Sequence, residues 1–124
     1  MFPDAGFQLI DAPTAEEPDT VRFSIRNDSR CFDGHFDGEP VFPGVAQIAL
    51  ALSACAIRDP IEPRVLVGVS DLRFKQILRP GDQVEVVLAA ARAPFSIRFE
   101  IRRGADLVTV GVLQFAAVDD PSHG

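Results

Sequence analysis

The second half of the chain alternates between apolar and polar residues. In Phe95–Arg103 the phenylalanine and isoleucine side chains occupy every second position, which is the pattern of a half-buried strand. Comparable patterns predict strands over Thr20–Asn27, Arg64–Ile77, Gln83–Ala91 and Leu107–Ala117. The turn sequence Pro80–Asp82 separates Arg64–Ile77 from Gln83–Ala91, and Arg103–Asp106 separates the run that starts at Phe95 from Leu107–Ala117. The pattern therefore predicts an antiparallel meander of about four strands after one isolated strand.

A long apolar run lies between the first two predicted strands and predicts one buried helix. Residues Val45–Ile57 are rich in Ala and Leu, which are strong helix formers. Pro43 stands where a first-turn proline is tolerated, and Pro60 is a stop signal. Only Gln47 and Ser53 interrupt the run, so we expect the helix to be buried on all sides. An antiparallel sheet curved around one helix satisfies both patterns and gives an α+β fold.

Length and composition favour one globular domain over residues 1–124. A chain of 124 residues with 47% hydrophobic and 24% charged residues has ordinary globular composition. Residues 1–19 contain three prolines and predict a loosely ordered leading segment, while residues 119–124 predict a frayed polar tail. No apolar run reaches the roughly 18 residues of a membrane span, and the first residues lack a basic region typical of a signal peptide. Two cysteines make no disulfide framework, so we expect a cytoplasmic protein.

The charge of the chain is unevenly distributed. The formal net charge is −6, which makes nucleic acid a poor partner. Residues 63–103, however, carry eight basic and four acidic residues. A local basic surface is therefore expected in a chain that is acidic as a whole.

One histidine lies in a loop rich in glycine and proline directly before the predicted helix. His35 titrates near neutral pH and can act as a general acid or base. The amides of Gly44 and Val45 would lie at the positive end of the helix dipole, where they can polarise a carbonyl group. Gly44 has no side chain to obstruct a ligand there. The segment therefore suggests a site for a carbonyl compound.

The same segment, FDGHFDGEPVFPGVAQIAL, closely resembles the active-site segment of the hotdog-fold 3-hydroxyacyl-acyl-carrier-protein dehydratases of the FabZ/FabA type. A second string, LRFKQILRPGDQVEVVL, resembles the strand–turn–strand of that family, and the resemblance extends over residues 20–118. The matching residues are Gly34, His35, Phe36, Pro40, Val41, Pro43, Gly44 and Val45 in the first string, and Phe74, Lys75, Pro80, Gly81 and Asp82 in the second.

The resemblance implies a hotdog fold that dimerises into one continuous sheet with active sites at the dimer interface. It implies dehydration of a 3-hydroxyacyl thioester to a trans-2-enoyl thioester in fatty-acid or polyketide-type synthesis. His35 would remove the α-proton, and the backbone amide at Gly44 would hold the thioester carbonyl. An acid on the partner's helix would protonate the departing hydroxyl. This elimination requires no metal and no organic cofactor.

The family's acid falls at Ala49 in this sequence, where a methyl group cannot donate a proton. Three interpretations follow from this departure. In the first, the chain is a dehydratase with a substitute acid, for which Asp33, Asp37 and Glu39 are candidates. In the second, it is the histidine-bearing subunit of a heterodimer. In the third, it is a non-dehydrating acyl-binding or thioesterase-like protein. An inactive structural subunit is a fourth interpretation, which predicts that His35 is dispensable.

The resemblance also implies an acidic acyl carrier protein, or a coenzyme A thioester, as the source of substrate. Four basic residues of the middle segment are candidates for carrier docking, namely Arg64, Arg73, Lys75 and Arg79. The expected assembly is a homodimer or a heterodimer.

Overall fold

The computed structural model describes residues 6–26, 42–60, 65–92 and 94–116. It contains one helix and six strands in a single antiparallel sheet. The strands lie in the order β1-β2-β4-β5-β6-β3. The elements are β1 (Phe7–Asp11), β2 (Thr20–Ile25), α1 (Gly44–Arg58), β3 (Leu66–Phe74), β4 (Gln83–Ala90), β5 (Ser96–Arg103) and β6 (Asp106–Phe115). The predicted α+β class, with a sheet curved around one long helix, is confirmed.

Alternation of side chains gives the sheet an inner face, which packs against α1, and an outer face turned away from it. In β5 the buried residues Ile97, Phe99 and Ile101 alternate with the more exposed Arg98 and Glu100. The other strands contribute to the same core in the same way. The largest completely buried side chains include Phe23, Phe42, Phe99, Leu50, Leu78 and Leu88.

The helix is not buried on all sides, so that prediction is wrong for one of its faces. Val45 is 75% exposed, and Ile48 and Leu52 are only partly buried on the same face. These residues recur at helical spacing and form an apolar stripe on α1. Ile48 and Leu52 still pack partly against the core, so the described part of the chain covers this stripe incompletely and leaves mainly Val45 exposed.

The leading segment is more ordered than predicted. Phe7–Asp11 forms β1, which pairs antiparallel with β2 through Phe7 and Ile25. The ring of Phe7 also contacts those of Phe23 and Phe42 edge-on, at centroid distances of 5.4 and 6.4 Å. Tertiary pairing therefore orders a segment whose own sequence carries only a short strand signal.

Strand β3 forms one edge of the sheet and is irregular. Its pairing with β6 shifts register between Ser70 and Arg73, and Asp71 between them has a φ of 52°. An aspartate is among the few residues that tolerate this left-handed conformation. Such a bulge re-aims the side chains around it. The strand ends at Phe74, whereas the sequence pattern predicted a strand up to Ile77.

Two arginines tie elements together at the periphery. Arg58 in the last turn of α1 bonds Asp59 and reaches Asp19, just before β2. Burial lowers the pKa of Arg58, but the hydrogen bonds and charges of these two carboxylates outweigh it, so the pKa is raised. On the outer face Arg22 bonds Glu17 and Glu85, and the hydrogen bond that it donates to Glu17 is the main cause of its raised pKa.

Candidate active site

The first turn of α1 has backbone donors without a partner among the described residues. Pro43 occupies the N-cap position without a side-chain cap, and no acidic residue lies in the first turn. The first helical hydrogen bond runs from the amide of Gln47 to the carbonyl of Pro43, at 3.1 Å. The amides of Gly44, Val45 and Ala46 precede it and have no partner within the helix. This end of the 15-residue helix is therefore suited to a carbonyl oxygen that gains negative charge.

A phenylalanine ring lies beside Gly44. A Cβ atom added to Gly44 would lie 2.8 Å from Cζ of Phe74, which is closer than real Cβ atoms come to any heavy atom. Phe74 therefore fills the space in which a side chain at position 44 would stand. Phe74 is itself 50% exposed, so its ring forms a wall between Gly44 and the surface.

A buried hydrogen-bond chain fixes this helix end to the sheet. The amide group of Gln47 donates to the carbonyl of Phe42 at 3.3 Å, and the hydroxyl of Thr109 on β6 donates to Oε1 of Gln47. Gln47 is 4% exposed and Thr109 is completely buried. The amide of Phe42 in turn donates to the carbonyl of Leu78 at 2.7 Å. The residues just before Gly44 are therefore held on both sides.

These hydrogen bonds were not predicted from the sequence. There, Gln47 was only an interruption of an apolar run. The available signal was a polar residue in the first turns of an otherwise apolar helix, since a buried amide needs partners. The partner Thr109, 62 positions further along the chain, carries no signal of its own.

The predicted acid position lies one turn into the helix, beside the apolar stripe. Ala49 is 8% exposed and follows Ile48, which belongs to the stripe. A longer side chain there would project from the helix close to whatever covers the stripe. His35 and the candidate acids Asp33, Asp37 and Glu39 lie outside the described residues, and so does Arg64.

Two of the predicted docking residues come together with a third cation on the outer face. Arg73 and Lys75 line a cleft of about 370 Å³ with Arg98 of β5. Arg79 does not line this cleft; its backbone amide bonds the side chain of Asp82 in the turn before β4. The structure therefore separates Arg79 from the other two.

A long helix on the inner face of a six-stranded antiparallel sheet in this strand order defines a hotdog-fold protein. Among the solved structures that share the fold is the dehydratase heterocomplex ApeI:P from Xenorhabdus doucetiae. Its matched chain is 17% identical, with a TM-score of 0.74 over 89% of this chain and 97% of that chain.

The sequence places the chain more narrowly within this class. The model of the ApeI-like family, described as ApeI dehydratase, matches residues 13–112. The 3-hydroxyacyl-[acyl-carrier-protein] dehydratase FabZ of Symbiobacterium thermophilum is 31% identical over 91% of this chain and 88% of that protein. FabZ of Legionella pneumophila is 40% identical over 52% of this chain and 50% of that protein. The chain belongs to the ApeI-like family of dehydratases, which confirms the resemblance found in its motifs.

The helices of the described residues include none that is both long enough and apolar enough to cross a membrane.

Proposed function

We propose that this chain dehydrates 3-hydroxyacyl thioesters to trans-2-enoyl thioesters. The observation that carries the proposal is the uncapped first turn of α1 at Gly44, in a member of a dehydratase family. The relatives named 3-hydroxyacyl-[acyl-carrier-protein] dehydratase support the same substrate class. The amide of Gly44 would donate a hydrogen bond to the thioester carbonyl oxygen and stabilise the charge that develops there.

The elimination divides between a base and an acid. His35 would take the proton from the α-carbon, and the electron pair of that C–H bond would form the new double bond. The bond between the β-carbon and the hydroxyl then breaks. The departing oxygen takes a proton from a carboxylic acid and leaves as water, and the amide of Gly44 is released. The imidazolium of His35 then gives its proton to the resulting carboxylate through solvent, which restores both groups for the next turnover.

The proton for the leaving hydroxyl cannot come from Ala49. One source is a substitute acid, with Asp33, Asp37 and Glu39 as candidates. The other source is an acid of a second chain. The family relationship to ApeI and the dehydratase heterocomplex of Xenorhabdus doucetiae favour this alternative, in which the chain contributes His35 and Gly44 to a heterodimer.

A dimer would cover apolar surfaces that are exposed among the described residues. The stripe on α1 exposes 75% of Val45, and the edge strand β3 exposes 65% of Val67, with Val65 beside it at 66%. An edge strand with apolar side chains pairs readily with another strand. Burying both surfaces against a second hotdog chain, identical or related, would also bring the partner's helix towards Ala49.

The test is turnover of a 3-hydroxyacyl thioester by the purified chain, followed as formation of the enoyl thioester. We expect turnover that His35→Ala abolishes without unfolding the protein. Turnover that survives in the His35→Ala variant would refute the mechanism. Absence of turnover by the chain alone, restored on adding a related chain that carries Glu or Asp at the position of Ala49, would establish the heterodimer. If the chain binds the thioester and no partner restores turnover, it is a non-dehydrating acyl-binding protein.

A further inference from the structure

The side chain of Gln47 reaches back over the start of α1 to the segment that precedes the helix. Its Nε2 donates to the carbonyl of Phe42 at 3.3 Å, and the hydroxyl of Thr109 donates to its Oε1. The backbone amide of the same residue donates to the carbonyl of Pro43 at 3.1 Å. Gln47 therefore holds both of the carbonyl groups that immediately precede Gly44 in the chain.

The bond to the carbonyl of Pro43 determines where the amide of Gly44 points. The peptide between these two residues is trans and planar, so its C=O and N–H groups point in opposite directions. Because the carbonyl of Pro43 points along the helix towards Gln47, the N–H of Gly44 points out of the helix end. Proline has no N–H, so Gly44 supplies the first backbone donor that a carbonyl compound meets at this end.

The bond to the carbonyl of Phe42 restrains the preceding peptide in the same way. The ring of Pro43 holds its φ angle at −71°, so the ψ angle of that residue, 157°, is the soft torsion angle between the two peptides. A rotation about this bond would tilt the amide of Gly44. The side chain of Gln47 restrains one end of that torsion and its backbone amide restrains the other end. One residue thus fixes the direction of the donor.

Thr109 on β6 orients the side-chain amide of Gln47. Such an amide has a donating and an accepting end and could be turned end for end. The hydroxyl of Thr109 donates to Oε1, while Nε2 faces a carbonyl oxygen that only accepts, so one orientation alone satisfies both partners. Gln47 is 4% exposed and Thr109 is completely buried, which keeps both bonds away from bulk water. The sheet therefore determines which atom of Gln47 faces the helix start.

We propose that Gln47 is a positioning residue for the dehydration and that Thr109 orients it. Its part is to aim the amide of Gly44 at the thioester carbonyl oxygen, without touching the substrate itself. A donor that is aligned in advance stabilises the developing charge without reorganising during the reaction. This inference rests on the proposed function. It assigns to the site two buried polar residues that neither take nor supply the protons of the elimination.

Turnover of a 3-hydroxyacyl thioester tests the proposal with two single variants. Gln47→Leu removes both side-chain bonds, and Thr109→Val removes the hydroxyl with little change of shape. We expect each variant to lower kcat by about tenfold, which is less than the ~10²–10³-fold cost of removing a whole oxyanion donor, because Gly44 keeps its amide. KM should change by less than about threefold, since the aligned bond matters most in the transition state.

Three further variants separate alignment from stability. In Gln47→Leu with Thr109→Val neither of these side chains is left without its partner, so the urea midpoint should recover in part while kcat stays low. Ile97→Val shortens a buried side chain on β5, and should lower the midpoint and leave kcat unchanged. Thr109→Ser keeps the hydroxyl and should recover most of the kcat that Thr109→Val loses. A kcat that follows the urea midpoint through all the variants would overturn the proposal.

The carbonyl stretch of a bound thioester measures the alignment without turnover. The probe is butyryl pantetheine with an isotope label at the carbonyl carbon, which lacks the 3-hydroxyl and cannot be dehydrated. A hydrogen bond to the carbonyl oxygen lowers the stretching frequency in the difference infrared spectrum. We expect the bound band to move to higher frequency in Gln47→Leu and Thr109→Val and to stay in place in Ile97→Val. An unmoved band in the first two variants would overturn the proposal.

The infrared measurement also separates this inference from the proposed function. If wild type binds the probe but dehydrates no 3-hydroxyacyl thioester, the proposed function fails for the chain alone, and the band still decides whether Gln47 aims the amide. A wild type that binds no thioester would overturn both.

Discussion

The ring of Phe74 occupies the space beside Gly44 in which any other residue would place its Cβ atom. The two residues are 30 positions apart, and the closest approach to the hypothetical Cβ is 2.8 Å. The contact joins the end of β3 to the first turn of α1. It therefore places the Phe74 ring against the backbone of the helix start.

Replacing this glycine should destabilise the fold through Phe74. We expect Gly44→Ala to lower the free energy of unfolding by about 1 kcal/mol, because overpacking costs about 1–3 kcal/mol and the gain in helix propensity offsets up to about 1 kcal/mol. Adding Phe74→Leu should recover most of the loss. Urea denaturation measures both. Gly104→Ala is the matched control, since Gly104 has a φ of 61° with no atom within 4 Å. Its cost, about 1–2 kcal/mol, should not respond to Phe74→Leu.

Removing the Thr109 hydroxyl should leave the amide oxygen of Gln47 without its hydrogen-bond donor. Thr109→Val keeps the shape of the side chain and leaves a buried acceptor unpaired, which costs about 1–3 kcal/mol. Gln47→Leu with Thr109→Val should cost less than the sum of the single changes, because neither polar group then remains without its partner. Thermal and urea unfolding of the four proteins give the coupling. Thr20→Val, on the outer side of β2, should change stability by less than about 0.5 kcal/mol. Strict additivity of the two core changes would contradict the pairing.

Introducing a carboxylate at position 49 should increase dehydration if the acid is missing there. We expect Ala49→Glu to raise turnover by about 10²–10⁴-fold, the usual contribution of one acid–base partner. Ala49→Gln has nearly the same shape and cannot donate that proton, so it should leave turnover at the wild-type level. Both variants are checked for folding by circular dichroism. Equal turnover by two folded variants would mean that the proton reaches the hydroxyl from elsewhere.

A lysine on the edge strand should dissociate the proposed dimer. Val67 on β3 is 65% exposed, and a lysine on an edge strand discourages pairing with another strand. We expect Val67→Lys to shift the mass in light scattering towards the monomer. Ile10→Lys tests the opposite edge of the sheet, where Ile10 of β1 is 43% exposed, and should leave the mass unchanged. Dissociation by Ile10→Lys alone would place the interface at β1.

Much of the fold could be predicted because the local apolar–polar patterns match the burial of side chains in the folded protein. The alternating run in β5 was predicted within one residue of its observed start at Ser96, and the helix within one residue at each end. Strand β1 could not be predicted in this way. Its five residues carry too short a pattern, and its order depends on pairing with β2.

The candidate site was only partly readable from the sequence. The position of Gly44 at a helix start follows from the apolar run and Pro43, which are local features. The contact with Phe74 and the bond from Thr109 to Gln47 depend on how distant strands meet the helix, and no local pattern encodes them. The role of His35 stays a prediction, because residues 27–41 are outside the described part of the chain.

Arg103 at the end of β5 has a mechanical consequence for the helix start. Its guanidinium bonds the carbonyl of Ile77 and the carboxylate of Asp82, both at 2.9 Å, and the amide oxygen of Gln76 at 2.7 Å. The connection between β3 and β4 is thereby fastened to the β5–β6 hairpin. That connection also holds Phe42 through Leu78. A displacement of the hairpin would therefore move Leu78 and, through its hydrogen bond with Phe42, the start of α1.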